Sequence, residues 1–260
     1  MKKIIITSVI AFIAFQVNAQ TISVATGKKI QAVVNEKINT TVSQMGQEME
    51  IPSTFDIYFE YVVKAVDGKK VTLTATNKRI KVSVSFMGNE QKLDSDDSTA
   101  KSNPQMAEAF KDVNKPVEIT VEAGKSANST DLNGAVTTQD VASVLFSPFK
   151  SGAREGDSFS DSTTKADGSK MVNVYTITKL TKDEITVTQT NNSKLSGTKQ
   201  QMGMEVQVNM NASYTAIRVY DAATGLLKSE TKTSVASGTN EVQGMSMPIT
   251  MKGTSTTSIQ

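Results

Sequence analysis

From Met49 to Ala65 every odd position is apolar or small, a period of two held over 17 residues. Glu50, Thr54, Asp56, Glu60 and Lys64 occupy positions between them. This is the pattern of a half-buried β-strand. At roughly 3.3 Å per residue such a strand extends about 56 Å, whereas an ordinary strand is about five to six residues long. A strand of that length must coil in a curved sheet or barrel, or continue past a bulge.

The rest of the chain repeats the theme. Ile30, Ala32, Val34, Glu36, Ile38, Thr40 and Val42 share one face of a preceding strand. Asp67-Gly68 turns the chain into a return strand with Val71, Leu73 and Ala75 in phase. After Asn77-Lys78 the apolar set moves to Ile80, Val82, Val84 and Phe86. A strand changes face only by inserting a residue, so a β-bulge is predicted near Asn77. Later strands place Val172, Val174, Thr176, Thr178 and Leu180 on one face, and Ile185 and Val187 on the return. Met202, Met204, Val206, Val208, Met210, Ala212 and Tyr214 then alternate, with an apparent switch of phase near Ile217 and Val219. Leu227 to Val235 reads as a strand, and the last strand carries Met245, Met247, Ile249 and Met251 on one face.

The middle differs. Asn103-Pro104 caps a predicted helix carrying Met106, Ala107, Ala109, Phe110 and Val113. Val117, Ile119 and Val121 lead into a turn at Ala123-Gly124-Lys125 and a weaker strand to Leu132. A second short helix after Thr138 carries Val141, Val144 and Leu145 before Pro148. Ser151 to Gly168 reads as loop with a short strand around Phe159. The expected fold class is therefore mainly β (α+β): a large curved antiparallel sheet or half-barrel of about ten to twelve strands with two short helices.

Residues 1–19 read as a secretory signal, with basic Lys2-Lys3, an apolar Ile4–Val17 stretch too short to span a bilayer, and Ala19 before the cleavage point. Residues 20–260 then form one β-rich domain. Val66–Asn77 resembles Leu180–Asn191, so the domain is read as two similar halves, 28–125 and 157–260, around a helical middle. The expected location is outside the cytoplasm, in the periplasm or at the surface. No cysteine follows the signal to carry a lipid.

Composition limits function. The chain has no histidine, cysteine or tryptophan. That excludes a Ser-His-Asp triad, a cysteine nucleophile and zinc sites with nitrogen or sulfur ligands. Without Lys2 and Lys3 the formal charge falls from +2 to 0, which argues against nucleic acid and against electrostatic docking on anionic lipid. Asp94-Ser95-Asp96-Asp97 lacks the glycine and closing glutamate of an EF-hand and reads as a solvated acidic loop. Asp157, Asp161 and Asp167-Gly168 form a similar weak set. No catalytic residue, metal or cofactor is expected. The 12 methionines, mostly on predicted strands, fit either core filling or an adaptable apolar cavity, and are too dispersed for copper.

The Met45–Met49 hairpin, the Asp94–Asp97 loop, Asn103-Pro104 and the Pro116–Lys125 strand with its Gly-Lys turn together resemble a family of exported β-rich proteins of Gram-negative bacteria without an assigned activity. Many members are lipoproteins, from which this chain departs. In architecture alone, long strands with few helices look like the half-barrel carriers of the LolA and LppX type, which hold lipid on the concave face.

Two short helices cannot cover such a sheet. The expected function is therefore non-enzymatic binding of an apolar ligand, a lipid or lipoprotein segment, on the concave face. Ile51, Phe55, Ile57, Phe59, Tyr61, Met202, Met204, Val206 and Val208 are the expected lining. The alternative is a structural or protein-interaction module of the envelope with a solid core. The partners read from sequence are thus a hydrophobic ligand or an envelope protein, with no nucleic acid and no membrane-spanning segment.

Overall fold

A computed structural model describes residues 22–44, 46–97, 110–125, 136–149, 152–164, 168–201, 204–242 and 244–260. The strands are β1 (Lys29–Gln44), β2 (Gln47–Asp67), β3 (Lys70–Phe86), β4 (Asn89–Asp94), β5 (Pro116–Glu122), β6 (Ser158–Thr164), β7 (Lys170–Leu180), β8 (Glu184–Gln201), β9 (Met204–Asp221), β10 (Leu227–Val242) and β11 (Met245–Ile259). They form one 11-stranded antiparallel sheet in the order β4-β3-β2-β1-β11-β10-β9-β8-β7-β6, with β5 also on β3. The first and last long strands pair at its centre, from Ala32 opposite Ile259 to Val42 opposite Ile249. Both sequence halves therefore belong to one open, curved sheet. Among the described residues no helix is long and apolar enough to cross a membrane. The signal segment, the Met106–Ala109 part of the first expected helix and the Leu132 strand lie outside the described residues. Phe110 to Asn114 form a turn rather than helix.

The described helix, α1 (Thr138–Val144), is short, and its ends are tied down locally. Thr137 caps it: Asp140 N donates to Thr137 Oγ1 at 3.2 Å, and Thr137 N donates to Asp140 Oδ2 at 2.9 Å. Seven residues do not hold a helix in water unaided. Two tyrosines from opposite halves of the sheet pin it: Tyr61 donates to the Thr138 carbonyl at 2.9 Å, and Tyr220 donates to that of Val144 at 3.2 Å. Beyond α1, Leu227 N donates to the Leu145 carbonyl, and Ser147 N to that of Gly225. The helix and its tail thus plug one end of the sheet's inner face. Ile30, Ala32, Val34, Ile57, Phe59 and Tyr61 pack there against Val141, Ala142 and Leu145. A second cluster joins Phe149, Tyr175, Ile177, Val187, Tyr220 and Leu227.

Bulges coil the sheet. On β3 the register slips so that Tyr58 faces Arg79 and Phe59 faces Asn77, leaving Lys78 as the extra residue. This is the bulge expected near Asn77. The 17-residue phase of β2, however, breaks at Lys64, where Val63 faces Leu73 and Ala65 faces Thr72. Ala65 is exposed as a result, and Val66 packs inward. In β7 and β8 the slip falls between Ile177 and Lys179, on Thr178. Lys64 and Thr178 stand at the same place in the two repeated segments, so the repeat extends to the bulge.

Gly238 marks the tightest approach of two strands. A Cβ there would lie 2.0 Å from the Asn209 carbonyl oxygen and 2.7 Å from Met210 Cα. Backbone atoms cannot yield as a side-chain tip can. Gly238→Ala is expected to cost about 1–3 kcal/mol through overpacking, seen as a lower urea midpoint.

Two strand faces differ from the expectation. In β7 the buried positions are Asn173, Tyr175 and Ile177, while Val172, Val174 and Leu180 point outward. In β9 there is no phase switch: Ala216, Arg218 and Tyr220 continue the even face inward, and Ile217 is exposed. Each discrepancy has one cause. A polar residue, Asn173 or Arg218, occupies the core face because partners on neighbouring strands satisfy it.

Candidate functional site: a polar belt beneath the helix

The strand register places a band of polar side chains across the middle of the inner face. One row runs Val34, Thr257, Glu230, Arg218, Val187. The next runs Phe55, Glu36, Ser255, Lys232, Ala216, Gln189, Tyr175. A third runs Gly253, Ser234, Tyr214, Asn191, Asn173, Asp161. Side chains in adjacent rows bond to each other. Asn173 Oδ1 accepts from Gln189 Nε2 at 2.7 Å and from Asn191 Nδ2 at 2.8 Å, while its Nδ2 donates to Asp161 at 2.9 Å. Gln189 Nε2 also donates to the Tyr214 hydroxyl at 2.8 Å. Arg218 donates to Gln189 Oε1 through Nη1 and to Glu230 Oε2 through Nε. The network is continuous from β6 to β10.

Burial governs the electrostatics. Taking Arg218 out of water opposes its charge, but Glu230 and the neighbouring tyrosines outweigh this, and its pKa is raised. Burial raises the Tyr214 and Tyr220 hydroxyls, so both remain donors at neutral pH. Glu36 is the exception to the satisfied network. It is 5 % exposed, and its Oε2 has no hydrogen-bond partner among the described residues. Burial pushes its carboxyl up from 4.5; Lys232 pulls against this, and Asp140 and Glu230 add to it.

The folded state therefore holds the Glu36 proton more tightly than the unfolded chain does. Stability is lost as pH rises from the unfolded value through the higher folded one. Glu36→Gln removes that dependence. The variant should match the parent below the unfolded pKa of 4.5 and exceed it in thermal midpoint at neutral pH.

A cavity of about 240 Å³ lies between this belt and α1. Asp140, Val141 and Val144 roof it, and Glu36, Lys232, Tyr214 and Arg218 floor it. It holds a polar group of a few heavy atoms or several waters. A second cavity, of about 600 Å³, opens between Glu122–Lys125 after β5 and Ser158–Phe159 of β6. Gly124, Lys125 and Pro148 border both.

The far half of the inner face is apolar again. Val206, Val208 and Met210 are buried against Leu195, Ala236, Ile249 and Met251, all from β8, β9, β10 and β11. Ile38, Val42, Met49 and Ile51 continue this face and are only half-buried. The expected lining residues are thus divided. Ile57, Phe59 and Tyr61 belong to the core beneath α1, with Phe55 packed against it. Ile51, Val206 and Val208 lie on the far half. Met204 opens β9, and Met202 lies outside the described residues. Sequence reasoning missed the belt, whose one signal was polar residues at in-phase positions of apolar strands.

One arginine grips two carboxylates of the acidic loop. Arg79 donates to Asp94 through Nε at 3.0 Å and Nη2 at 2.6 Å, and lies 3.1 Å from Asp96. The hydrogen bond from Arg79 holds the Asp94 carboxyl down to about 2. No group of three or more metal-ligating side chains occurs among the described residues.

No family model matches the chain, and no curated protein matches its sequence. Among solved structures, one of lipovitellin, describing its lipid–protein interactions, superposes with a TM-score of 0.50 at 13% identity over 91% of this chain. This chain spans 26% of that one. An outer membrane channel from Pseudomonas putida F1 gives a TM-score of 0.29 at 6% identity, over 94% of this chain and 98% of that one. The likeness to lipovitellin is one of fold alone.

Proposed function

We propose that this is an exported, non-enzymatic protein that holds an amphiphile, a lipid or the lipid-bearing segment of a lipoprotein, on the concave face of its sheet. The observation that carries the reading is the contrast along that face. Beneath α1 the apolar rows are sealed by the protein's own plug. On the far half, Ile38, Val42, Met49, Ile51, Ile249 and Met251 stay half-buried, and the apolar cluster there draws on the sheet alone. An acyl chain laid on this half would complete its burial, at about 25 cal/mol per Å² of apolar surface removed from water. The fold similarity to lipovitellin, whose structure describes lipid–protein interactions, supports the same reading.

The test is titration with a fluorescent fatty acid. Ile249→Glu puts a charge on the far half and is expected to weaken binding about tenfold or more. Ile217→Glu, on the exposed outer face, should leave binding unchanged. Equal affinities in these two variants, with parental circular dichroism, would refute the reading. The sealed core beneath α1 favours a second reading, an envelope interaction module. Retention of a protein partner by a chain that binds no fatty acid would support it.

A further inference from the structure

The charged groups of the cavity are not all accounted for by the fold. Arg218 and Glu230 satisfy each other, Lys125 pairs with Glu122, and Asp140 caps α1. Two groups remain. Glu36 lines the cavity, is 5 % exposed, and has one carboxylate oxygen, Oε2, shut off from solvent and without a hydrogen-bond partner among the described residues. Lys232 lines the same cavity and makes no ion pair among the described residues; its Nζ lies 6.0 Å from the Tyr214 ring centroid. The register fixes their relation: Glu36 faces Ser255, and Ser255 faces Lys232. One negative and one positive side chain therefore stand two strands apart, about 10 Å between backbones, with a hydroxyl between them.

A buried carboxylate oxygen without a donor is costly to keep. Ser255 beside it is small and neutral, and of the nearby charges Asp140 and Glu230 have its own sign. We infer that the cavity receives a zwitterionic head group of the phosphoethanolamine class, its ammonium donating to Glu36 and its phosphate facing Lys232. A purely anionic head would leave Glu36 unpaired and meet its charge. A purely cationic head would leave Lys232 unpaired. The cavity, at about 240 Å³, takes such a head and excludes a whole acyl chain, which would continue onto the apolar far half. The inference rests on the carrier reading for the chain, but the head site is testable separately.

Calorimetric titration of the full chain separates the two. The probes are lysophosphatidylethanolamine, lysophosphatidylglycerol, lauric acid and free phosphoethanolamine. The ethanolamine lysolipid should bind about tenfold or more tightly than the glycerol one. That preference should vanish in Glu36→Gln, which keeps the shape of the side chain, whereas Lys232→Met should weaken both lysolipids. Lauric acid, with its purely anionic head, should bind the parent and gain rather than lose affinity in Glu36→Gln. Equal affinity for the two lysolipids, or a preference untouched by Glu36→Gln, would overturn the head-group assignment while lauric acid binding keeps the carrier reading. Binding of phosphoethanolamine that depends on Glu36, without any binding of lauric acid, would uphold the head site and sink the carrier. No binding of any probe would refute both.

Discussion

Replacing Glu230 by alanine is expected to lower the unfolding free energy by about 3–5 kcal/mol. The substitution leaves Arg218 charged and dehydrated, with neutral hydrogen-bond partners such as Gln189 but without its carboxylate. Coulomb attraction across the pair does not need to be strong for this to hold. The loss comes mainly from stranding a cation that cannot reach water, since both side chains are less than a tenth exposed. The contrast with Lys228 and Glu184 makes the point. That pair is 3.1 Å apart but nearly half exposed, and Lys228→Ala should cost under about 1 kcal/mol. Arg218→Met combined with Glu230→Leu should recover most of the loss, because two apolar side chains of similar volume need no partner. Chemical denaturation of the four proteins measures all of this. A loss near 1 kcal/mol for Glu230→Ala would mean that water reaches Arg218 and that the belt is not a closed network.

Tyr61→Ala is the second large effect, also about 3–5 kcal/mol. Tyr61 is wholly buried, tilted against Phe59 with ring centroids 6.1 Å apart, and bonded to the Thr138 carbonyl. Truncation leaves a cavity and frees one of the two anchors of α1. Tyr61→Phe removes the hydroxyl alone and should cost about 1 kcal/mol. The two variants separate packing from pinning. Hydrogen exchange at Val141 to Leu145 should accelerate in both, because a helix of seven residues has little stability of its own. Unchanged exchange there would mean that α1 is held by its tail and not by the tyrosines.

Period two was legible wherever the inner face is apolar, as on β2 and the start of β9, and so were the bulge at Lys78 and the helix before Pro148. Two kinds of information were not. The first is a bulge without a change in apolar phase: at Lys64 both Ala65 and Val66 can face the core by composition, and only pairing with β3 chooses Val66. The second is the polar belt. Asn173, Gln189 and Arg218 look outward by residue type, and burial becomes affordable only when strands distant in sequence bring their partners beside them. Val172 and Val174 then take the outer face, opposite to a purely hydrophobic reading. Glu36 was in phase with its strand, yet nothing local marks it as unsatisfied. That follows only from Ser255 and Lys232, some 200 residues later. Of the residues chosen from alternation alone, Ile51, Val206 and Val208 fall on the half-open part of the face, and Ile57, Phe59 and Tyr61 under the plug.

Native mass spectrometry of the protein, purified without detergent from the cell that makes it, tests the carrier account most directly. The account predicts a species heavier than the polypeptide by the mass of one amphiphile, which falls to the polypeptide mass on unfolding and releases a molecule with an acyl chain. A single species at the polypeptide mass, unchanged on unfolding, would contradict it.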